Sequence, residues 1–408
     1  MPTKHYLLTI ALQLIALTLI TGCIGTGDNS GGKTEKGQIS DFSQYTAYKQ
    51  LIAMYPEDNQ GLGKEKIFPT TEHQPMTYGL VLTSEVLHFR ATRGEESKRR
   101  IQKAVRWLLD NQDLDHDGKP GWGLPQAWDA FSDGAINPIN QPYTITSAIV
   151  LNGLLESLAL KDFWSDSECD EIFMVMAKVA VRWCSEIWSE GYSGGYFWYS
   201  PSPVDDIFAV NSPSLFTGNL ARLLHDHPDA FTRQERRLVQ SRVDGMARAI
   251  VATVELRQDL PFWDYRPGHD PKRANDVLHH IYTILGIEMY RDYGGRVKLP
   301  WTREQAIASV DQFWKDGQIM EFPQDIIYTG EQVRFNSARS SQWGAGSVVA
   351  AYAYWGEFEK AKQALETIQR DYGTWPHLQL SPGRKSDVFF PRDSSHVLWG
   401  QAVYLFCQ

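Results

Sequence analysis

Four clusters of side chains in this 408-residue chain have the types and spacing of a site that moves protons. The first lies in the glycine-broken loop from Gly121 to Phe131. It holds Trp122, Trp128 and Asp129, a carboxylate with no Lys or Arg beside it in sequence. Loops run over the surface and carry function, and flat aromatic faces suit sugar rings. Trp122 and Trp128 are therefore candidates to stack on a ligand, and Asp129 to accept hydroxyls or move a proton. The second cluster is Tyr196, Trp198, Tyr199, Asp205, Asp206 and Asn211. Aromatics that desolvate a carboxylate raise its proton affinity toward general-acid use, and of the adjacent Asp205 and Asp206 one is expected to face a cleft, with Asp206 the candidate. The third joins Trp263, Asp264, Tyr265 and Arg266 to His279, His280 and Tyr282; the histidines are neighbours, so they cannot share one face, and His279 is the better placed. The fourth is Arg339 with Trp343, followed by His396. An arginine there suits bidentate capture of a uronate carboxylate.

The elements that must position these residues repeat. Apolar helix patterns with few charges open at Tyr78, Tyr143, Ser214, Asp276, Ser341 and Ser395, so successive openings fall 65, 71, 62, 65 and 54 residues apart. A helix apolar on nearly every side is buried all round. Between them lie one-sided helices with charges opposite apolar residues, beginning at Asp41, Glu95, Ser167, Arg233, Thr302 and Glu357, the fifth read as TREQAIASVDQFWKD. Glycine- and aromatic-rich loops follow most of these outer helices. Six outer and six inner helices in alternation predict an all-α fold, an (α/α)6 toroid over residues 41–408, with the inner N-termini and the aromatic loops converging on one cleft. An open helical solenoid is the alternative. At the opening of the second inner helix, Tyr143 meets a dipole that favours a phenolate or an anionic substrate.

Composition narrows the partners. A net charge of −9 and a pI near 5.7 argue against nucleic acid, which needs a basic field. Residues 1–22 read as a secretory signal with a basic start and an apolar stretch too short to span a bilayer. The Ile20-Thr21-Gly22-Cys23 run resembles a lipobox, so Cys23 is expected to carry lipid, with 23–40 as a flexible tether. The protein is then exported and membrane-anchored, on the outer side of the cytoplasmic membrane or in the periplasm or outer membrane. Cys169 and Cys184 lie too far apart on one helix to bridge. No organic cofactor is expected, because no Walker loop, GxGxxG, GxSxG or HExxH occurs. Asp113, Asp115 and Asp117 before Gly118 form a DxDxDG run suited to structural Ca²⁺, although Leu124 stands where an EF-hand has its twelfth-position Glu.

On the GWGLPQAWDAF, FWDYRPG and NDVLHHIY runs, the chain resembles the (α/α)6-toroid carbohydrate-active enzymes, and more narrowly the catalytic helical domain of D-glucuronyl C5-epimerases, through Trp263-Asp264-Tyr265 followed by a histidine-bearing helix. The resemblance implies removal and return of a proton at C5 of a hexuronic acid. It makes Tyr265, Tyr199 and Asp264 acid/base candidates, gives Arg266 or Arg339 the uronate carboxylate, and implies structural calcium. The chain lacks that family's tyrosine-rich segment, having only Val254-Glu255-Leu256-Arg257 nearby, and has no separate β-domain. The expected function is an exported lipoprotein acting on a polysaccharide by uronate C5 proton abstraction, as an epimerase or a lyase. The alternatives are an inverting glycoside hydrolase, pairing Asp129 with Asp206 or Asp264 at about 6.5–9.5 Å, and a non-catalytic glycan-binding or exopolysaccharide-assembly lipoprotein.

Overall fold

The structure, a computed structural model, describes residues 41–66, 70–268, 273–384, 386 and 388–408. The signal, the tether and Cys23 lie outside these residues. No described helix is long and apolar enough to cross a membrane.

Outer and inner helices alternate. The outer set is α1 (Phe42–Ile52), α3 (Glu95–Asp110), α5 (Asp166–Glu186), α7 (Arg233–Ala252), α9 (Arg303–Val310) and α11 (Phe358–Tyr372). The inner set is α2 (Pro75–Thr92), α4 (Thr144–Leu158), α6 (Asn211–Asp226), α8 (Val277–Asp292), α10 (Gln342–Tyr354) and α12 (Pro391–Phe406). α3 buries one stripe that includes Ile101, Ala104, Val105, Leu108 and Leu109, whereas α4 is buried along its length apart from Ile145, Asn152 and its last residue. The two patterns follow from position: a helix lining the ring touches protein on all sides, a helix outside it touches protein on one.

Each inner helix packs on the next, and α12 returns to α2. This closure distinguishes the fold from an open solenoid. The seam is tied by Arg392–Glu65 at 2.8 Å, Lys66–Asp393 at 3.0 Å and a hydrogen bond from the Tyr55 hydroxyl to the Pro391 carbonyl. Where α6 crosses α8 the backbones touch: a Cβ on Gly286 would lie 2.1 Å from the Ser214 carbonyl oxygen, so only glycine fits.

The outer helices α5, α7 and α9 begin in water with capping boxes at Ser165–Glu168, Thr232–Glu235 and Thr302–Gln305. The inner helices satisfy their first N–H groups differently. Thr144 N donates to Tyr199 O at 3.0 Å, Val210 N to Tyr265 O at 3.2 Å, Val277 N to Glu321 O at 2.8 Å and Gln342 N to Leu380 O at 2.9 Å. Each inner N-terminus is thus pinned to the loop that precedes the next inner helix, while α2 and α12 start at prolines, which have no N–H to give. Tyr199, Tyr265, Glu321 and Leu380 therefore occupy one position in four successive units.

Among the described residues, four antiparallel strand pairs interrupt the all-helical plan: β1 (Leu62–Lys64) with β2 (Thr71–His73), β3 (Trp188–Ser189) with β4 (Tyr196–Phe197), β5 (Glu255–Arg257) with β6 (Leu260–Phe262), and β7 (Trp314–Lys315) with β8 (Gln318–Ile319). They follow α1, α5, α7 and α9, so all stand at the end where the inner helices begin. The fifth outer helix was expected to run through Asp316 but stops at Val310. Asp316 and Gly317 both take positive φ, 51° and 71°, and this Asp-Gly pair turns the chain into a hairpin that the helical spacing of the preceding residues conceals.

Candidate active site

The pinning just described sends the side chains of Tyr199, Tyr265 and Glu321 to one end of the ring. Tyr199 meets Tyr143 with ring centroids 5.6 Å apart and Phe131 at 4.9 Å. Tyr143 is buried and its hydroxyl has no hydrogen-bond partner. The Tyr265 ring stands edge-on to His279 at 4.9 Å. His279 gives its backbone N–H to Asp276 Oδ1 at 3.1 Å and holds Asp276 Oδ2 through Nδ1 at 2.6 Å, which leaves Nε2 for other work. Asp276 is the side-chain N-cap of α8, so one carboxylate both starts the helix and orients the imidazole. Arg273 lies 3.9 Å from Asp276 and 5.9 Å from the Tyr265 ring, with its guanidinium half-exposed.

The electrostatics separate these groups. Burial pushes the Tyr265 hydroxyl above its usual value, as does the Asp276 charge, while Arg273 and the donors on Tyr199 and Asn211 pull it partway back. Tyr199, also raised first by burial and then by its two tyrosine neighbours, ends well above its usual range. Of this pair Tyr265 is the easier to ionise. Burial would raise Asp276, but the facing His279 outweighs it and keeps the carboxylate ionised. Glu321 shows the opposite balance: burial, with the Asp276 charge added, pushes it up to about 8 against the pull of Lys66. Its Oε2 is buried without a partner. A neutral acid thus stands beside an ionised one, the arrangement that separates donor from acceptor.

Lys66 and Trp343 extend the belt toward α12. The Lys66 ammonium sits 3.3 Å from the Trp343 ring centroid and on Asp393, so the face of Trp343, a substrate-binding candidate, carries a cation. Arg266 lies 4.7 Å over Phe131, which places it at the Tyr199 end. Asn211, buried at the start of α6, faces Tyr265.

Other expected residues lie outside this belt. Asp129 accepts the Gly134 N–H at 2.9 Å and the Asp133 N–H at 3.2 Å. It closes its own exposed turn, and these bonds hold its carboxyl below the usual range. Asp206 is exposed and accepts from Ser189 and Tyr196 hydroxyls at 2.6 and 2.7 Å. Its neighbour Asp205 is the buried one of the pair, taking Asn137 and Ser200 hydrogen bonds at 2.6 Å each. Trp122 is 1% exposed and bonds the Leu108 carbonyl, which makes it a wall of the core. Trp128 is half-buried and exchanges backbone hydrogen bonds with Asn137. Trp198 donates to Ser189, behind Tyr196. Asp264 pairs with Ala274 in an extended bridge, so its side chain and that of Tyr265 leave on opposite faces. Arg339 is exposed, its backbone bridged to Met320.

The other two expected histidines, His280 and His396, are in the interior. His280 is fully buried, bonded to Ser309 at 2.7 Å and stacked on Phe262; burial drops it to about 3, so it is neutral. His396 bonds the Tyr282 hydroxyl at 2.6 Å through Nε2 and the Arg392 carbonyl through Nδ1. Burial takes it down to about 4, and the Tyr282–His396 pair forms a neutral cross-link across the ring. Asp113, Asp115 and Asp117 do converge, with one oxygen of each within 4.8 Å of the others. Arg182 bonds Asp117 at 2.6 Å, and burial beside Asp117 pushes Asp115 up to about 6. An oxygen of Asp113 and one of Asp115 are buried without partners, which fits a hard cation. Cys169 and Cys184 form no disulfide with each other, as their spacing predicts.

Sequence reasoning missed Glu321, Arg273, Asp276 as an orienting acid, and Lys66. Lining up the loops of successive units would have exposed Glu321. Tyr199 and Tyr265 each precede their inner helix by twelve residues, but the longer loop after β8 breaks that register.

No protein-family model matches the sequence, and no curated protein matches it. Solved structures do. A novel alpha-amylase from Clostridium perfringens superposes with a TM-score of 0.58 at 12% identity, over 89% of this chain and 99% of that one. An unsaturated glucuronyl hydrolase from Bacillus sp. GL1, described as responsible for glycosaminoglycan degradation, gives 0.55 at 12% identity over 89% and 93%. A sugar epimerase from a ruminal bacterium gives 0.54 at 11% identity over 88% and 98%. The fold is an (α/α)6 toroid. At these identities the likeness is one of architecture, and the function has to be argued from the side chains.

Proposed function

We propose that the protein is a carbohydrate-active enzyme that abstracts and returns the C5 proton of a uronate within a polysaccharide, as an epimerase or a lyase. One observation carries this reading: Tyr265, His279–Asp276 and Arg273 converge where Glu321 supplies a neutral acid. Arg273, with Arg266 as a second cation, binds the sugar carboxylate and stabilises the charge that develops when the adjacent C5–H is broken. Tyr265, the more acidic tyrosine of its pair, first gives its own hydroxyl proton to His279 Nε2, and the resulting phenolate takes the C5 proton. Tyr199 and Asn211 steady the phenolate before that transfer, and Asp276 stabilises the His279 imidazolium. Glu321, protonated near neutrality, gives a proton back at C5 for epimerisation or to the leaving oxygen for elimination. The resemblance to D-glucuronyl C5-epimerases and the unsaturated glucuronyl hydrolase among similar folds support a uronate.

An inverting hydrolase is the second reading. Its expected pairs through Asp129 or Asp206 are occupied by local hydrogen bonds, so Glu321 as acid and Asp276 as base would have to serve. Export, a lipid on Cys23 and calcium at Asp113, Asp115 and Asp117 complete the proposal, with the ion bracing the loop beneath Trp122 and Trp128.

The test is incubation of the chain from residue 41 with uronate polysaccharides in D₂O, followed by NMR. Deuterium at C5 without cleavage supports epimerisation, and an unsaturated sugar supports elimination. New saturated reducing ends move the assignment to hydrolysis, and no change across a broad panel leaves glycan binding alone.

A further inference from the structure

The outer face of α7 carries a stripe of arginines that the catalytic site does not use. Arg237, Ser241, Asp244 and Arg248 follow one another at helical spacing, and Arg296, from the turn after α8, joins them around one groove of about 370 Å³ with Arg236 and Gln240. Eleven residues of helix make the stripe roughly 16 Å long. Among the described residues Arg237 and Arg248 have no acidic partner, and both are exposed. Arg296 is 71% exposed and stands 3.8 Å from Asp244, the only carboxylate in the groove. Asp244 is already taken, accepting the Tyr290 hydroxyl at 2.8 Å and the Gln240 amide at 3.1 Å. The groove is therefore net positive on a protein whose formal charge is −9.

The stripe points toward the cleft. At its upper end Arg248 packs against Gly194, where an added Cβ would lie 3.0 Å from the arginine Cβ. The same loop presents Tyr192, 38% exposed, whose hydroxyl donates to the Pro267 carbonyl two residues beyond Tyr265. Tyr192 packs edge-on to Tyr196 at 5.6 Å, forming an aromatic ledge between cleft and groove.

We propose that the face of α7 is a second binding site, a track on which Arg237, Arg248 and Arg296 hold an acidic polysaccharide chain that passes over the Tyr192–Tyr196 ledge. The choice of a polyanion rests on charge complementarity, since an otherwise acidic surface repels such a chain and only a local cationic groove can retain it. A groove with Ser241 and Gln240 among the arginines also offers partners for hydroxyls, which suits a sugar chain better than a flat lipid surface. That this chain is the substrate rests on the catalytic reading above; that the groove binds it does not.

The experiment compares the full chain with the Arg237→Ser/Arg248→Ser/Arg296→Ser variant in calorimetric titration with polyglucuronate, with dextran as the neutral control. The substituted residues are exposed, and an unchanged melting temperature confirms folding. The variant is expected to bind polyglucuronate at least tenfold more weakly and with a shallower log-affinity against log-salt slope, while turnover of a short uronide stays unchanged. Equal binding by both proteins would overturn the track, as would arginine-dependent binding to phosphatidylglycerol vesicles without binding to polyglucuronate. If the arginines govern polymer binding but no uronide reacts, the track stands and the catalytic reading falls.

Discussion

The two ends of the ring bury similar polar groups and treat them differently. At the far end, where the inner helices finish, Glu156 lies between Arg222 at 2.5 Å and Arg90 at 2.8 Å. Glu288 receives Arg291 at 3.3 Å, Arg303 at 3.4 Å and the Trp301 indole at 3.1 Å. The narrow axial cavity there, about 60 Å³, is walled by Leu80, Ile149, Leu215, Leu285 and Trp399. Its buried charges face partners. At the cleft end, Glu321 and Tyr143 keep buried oxygens without partners, and Asp276 spends its bonds on an imidazole. A buried charge costs several kcal/mol unless paired, so paired acids brace a fold, whereas unpaired ones are retained where a ligand completes them. Neither burial nor a single orphaned polar atom marks a site, since the Tyr293 hydroxyl and the Trp399 indole at the far end also lack hydrogen-bond partners; what sets the cleft end apart is Glu321, a buried acid with no salt bridge among the described residues.

Tyr265→Phe breaks the cleft side of this comparison most sharply. It removes one hydroxyl and leaves the ring against His279, so turnover on the uronate polymer should fall about 100-fold or more. The melting temperature should hold. Equal turnover by the variant would remove Tyr265 from proton transfer.

At the far end the effects should reverse. Arg222→Met strands Glu156 beside Arg90 and is expected to cost about 3–5 kcal/mol in denaturant titration, with activity per folded molecule unchanged. Adding Glu156→Gln should return much of that loss. If Arg222→Met reduced activity while leaving stability intact, the axial cavity would have to be counted as part of the site.

The difference between the ends also explains how much could be read from the chain. Ring architecture is written in local periodicity: α4 is apolar on almost every side and α3 on one, and composition alone separates them. Tyr265, Tyr199, Asn211 and His279 were legible because their aromatics and helix-opening neighbours are contiguous in sequence. Asp129 looked uncompensated, since a sequence shows charged neighbours but not the N–H groups of a turn that folds back on its own carboxylate. His280 and His396 looked like mouth residues because the start of a helix is visible in sequence, while the direction of each side chain around it is not. Glu321 was hidden twice, by the hairpin that replaced the end of the fifth outer helix and by an unusually long loop.

A subtler contrast lies in pH. Glu321 has a folded value near 8, above the roughly 4.3 of an unfolded glutamate, so folding favours its proton. Its stabilising contribution is complete below the unfolded value and is lost as pH rises through the folded one. Thermal unfolding followed from pH 5 to 8.5 should show the native chain losing ground relative to Glu321→Gln, which has no such proton. The native rate should also fall above about pH 8 as the acid ionises. A parallel pair of stability curves would show that Glu321 is ordinary in the folded state.

The smallest expected effect concerns a third arrangement, neither fully paired nor open. Asp113, Asp115 and Asp117 share Arg182, which neutralises only part of three carboxylates. Millimolar Ca²⁺ should therefore add to what Arg182 supplies and raise the melting temperature by about 1–3 °C, a ligand bound only by the folded state contributing through mass action. Chelator should reverse the rise, and Asp115→Asn should abolish it, because Asp115 combines an oxygen without a partner with the raised proton affinity. Mg²⁺ should do less, since irregular carboxylate clusters suit the larger ion's flexible coordination. Should Ca²⁺ leave both proteins unmoved, the guanidinium is sufficient for this loop, and the acidic turn belongs with the paired charges of the far end.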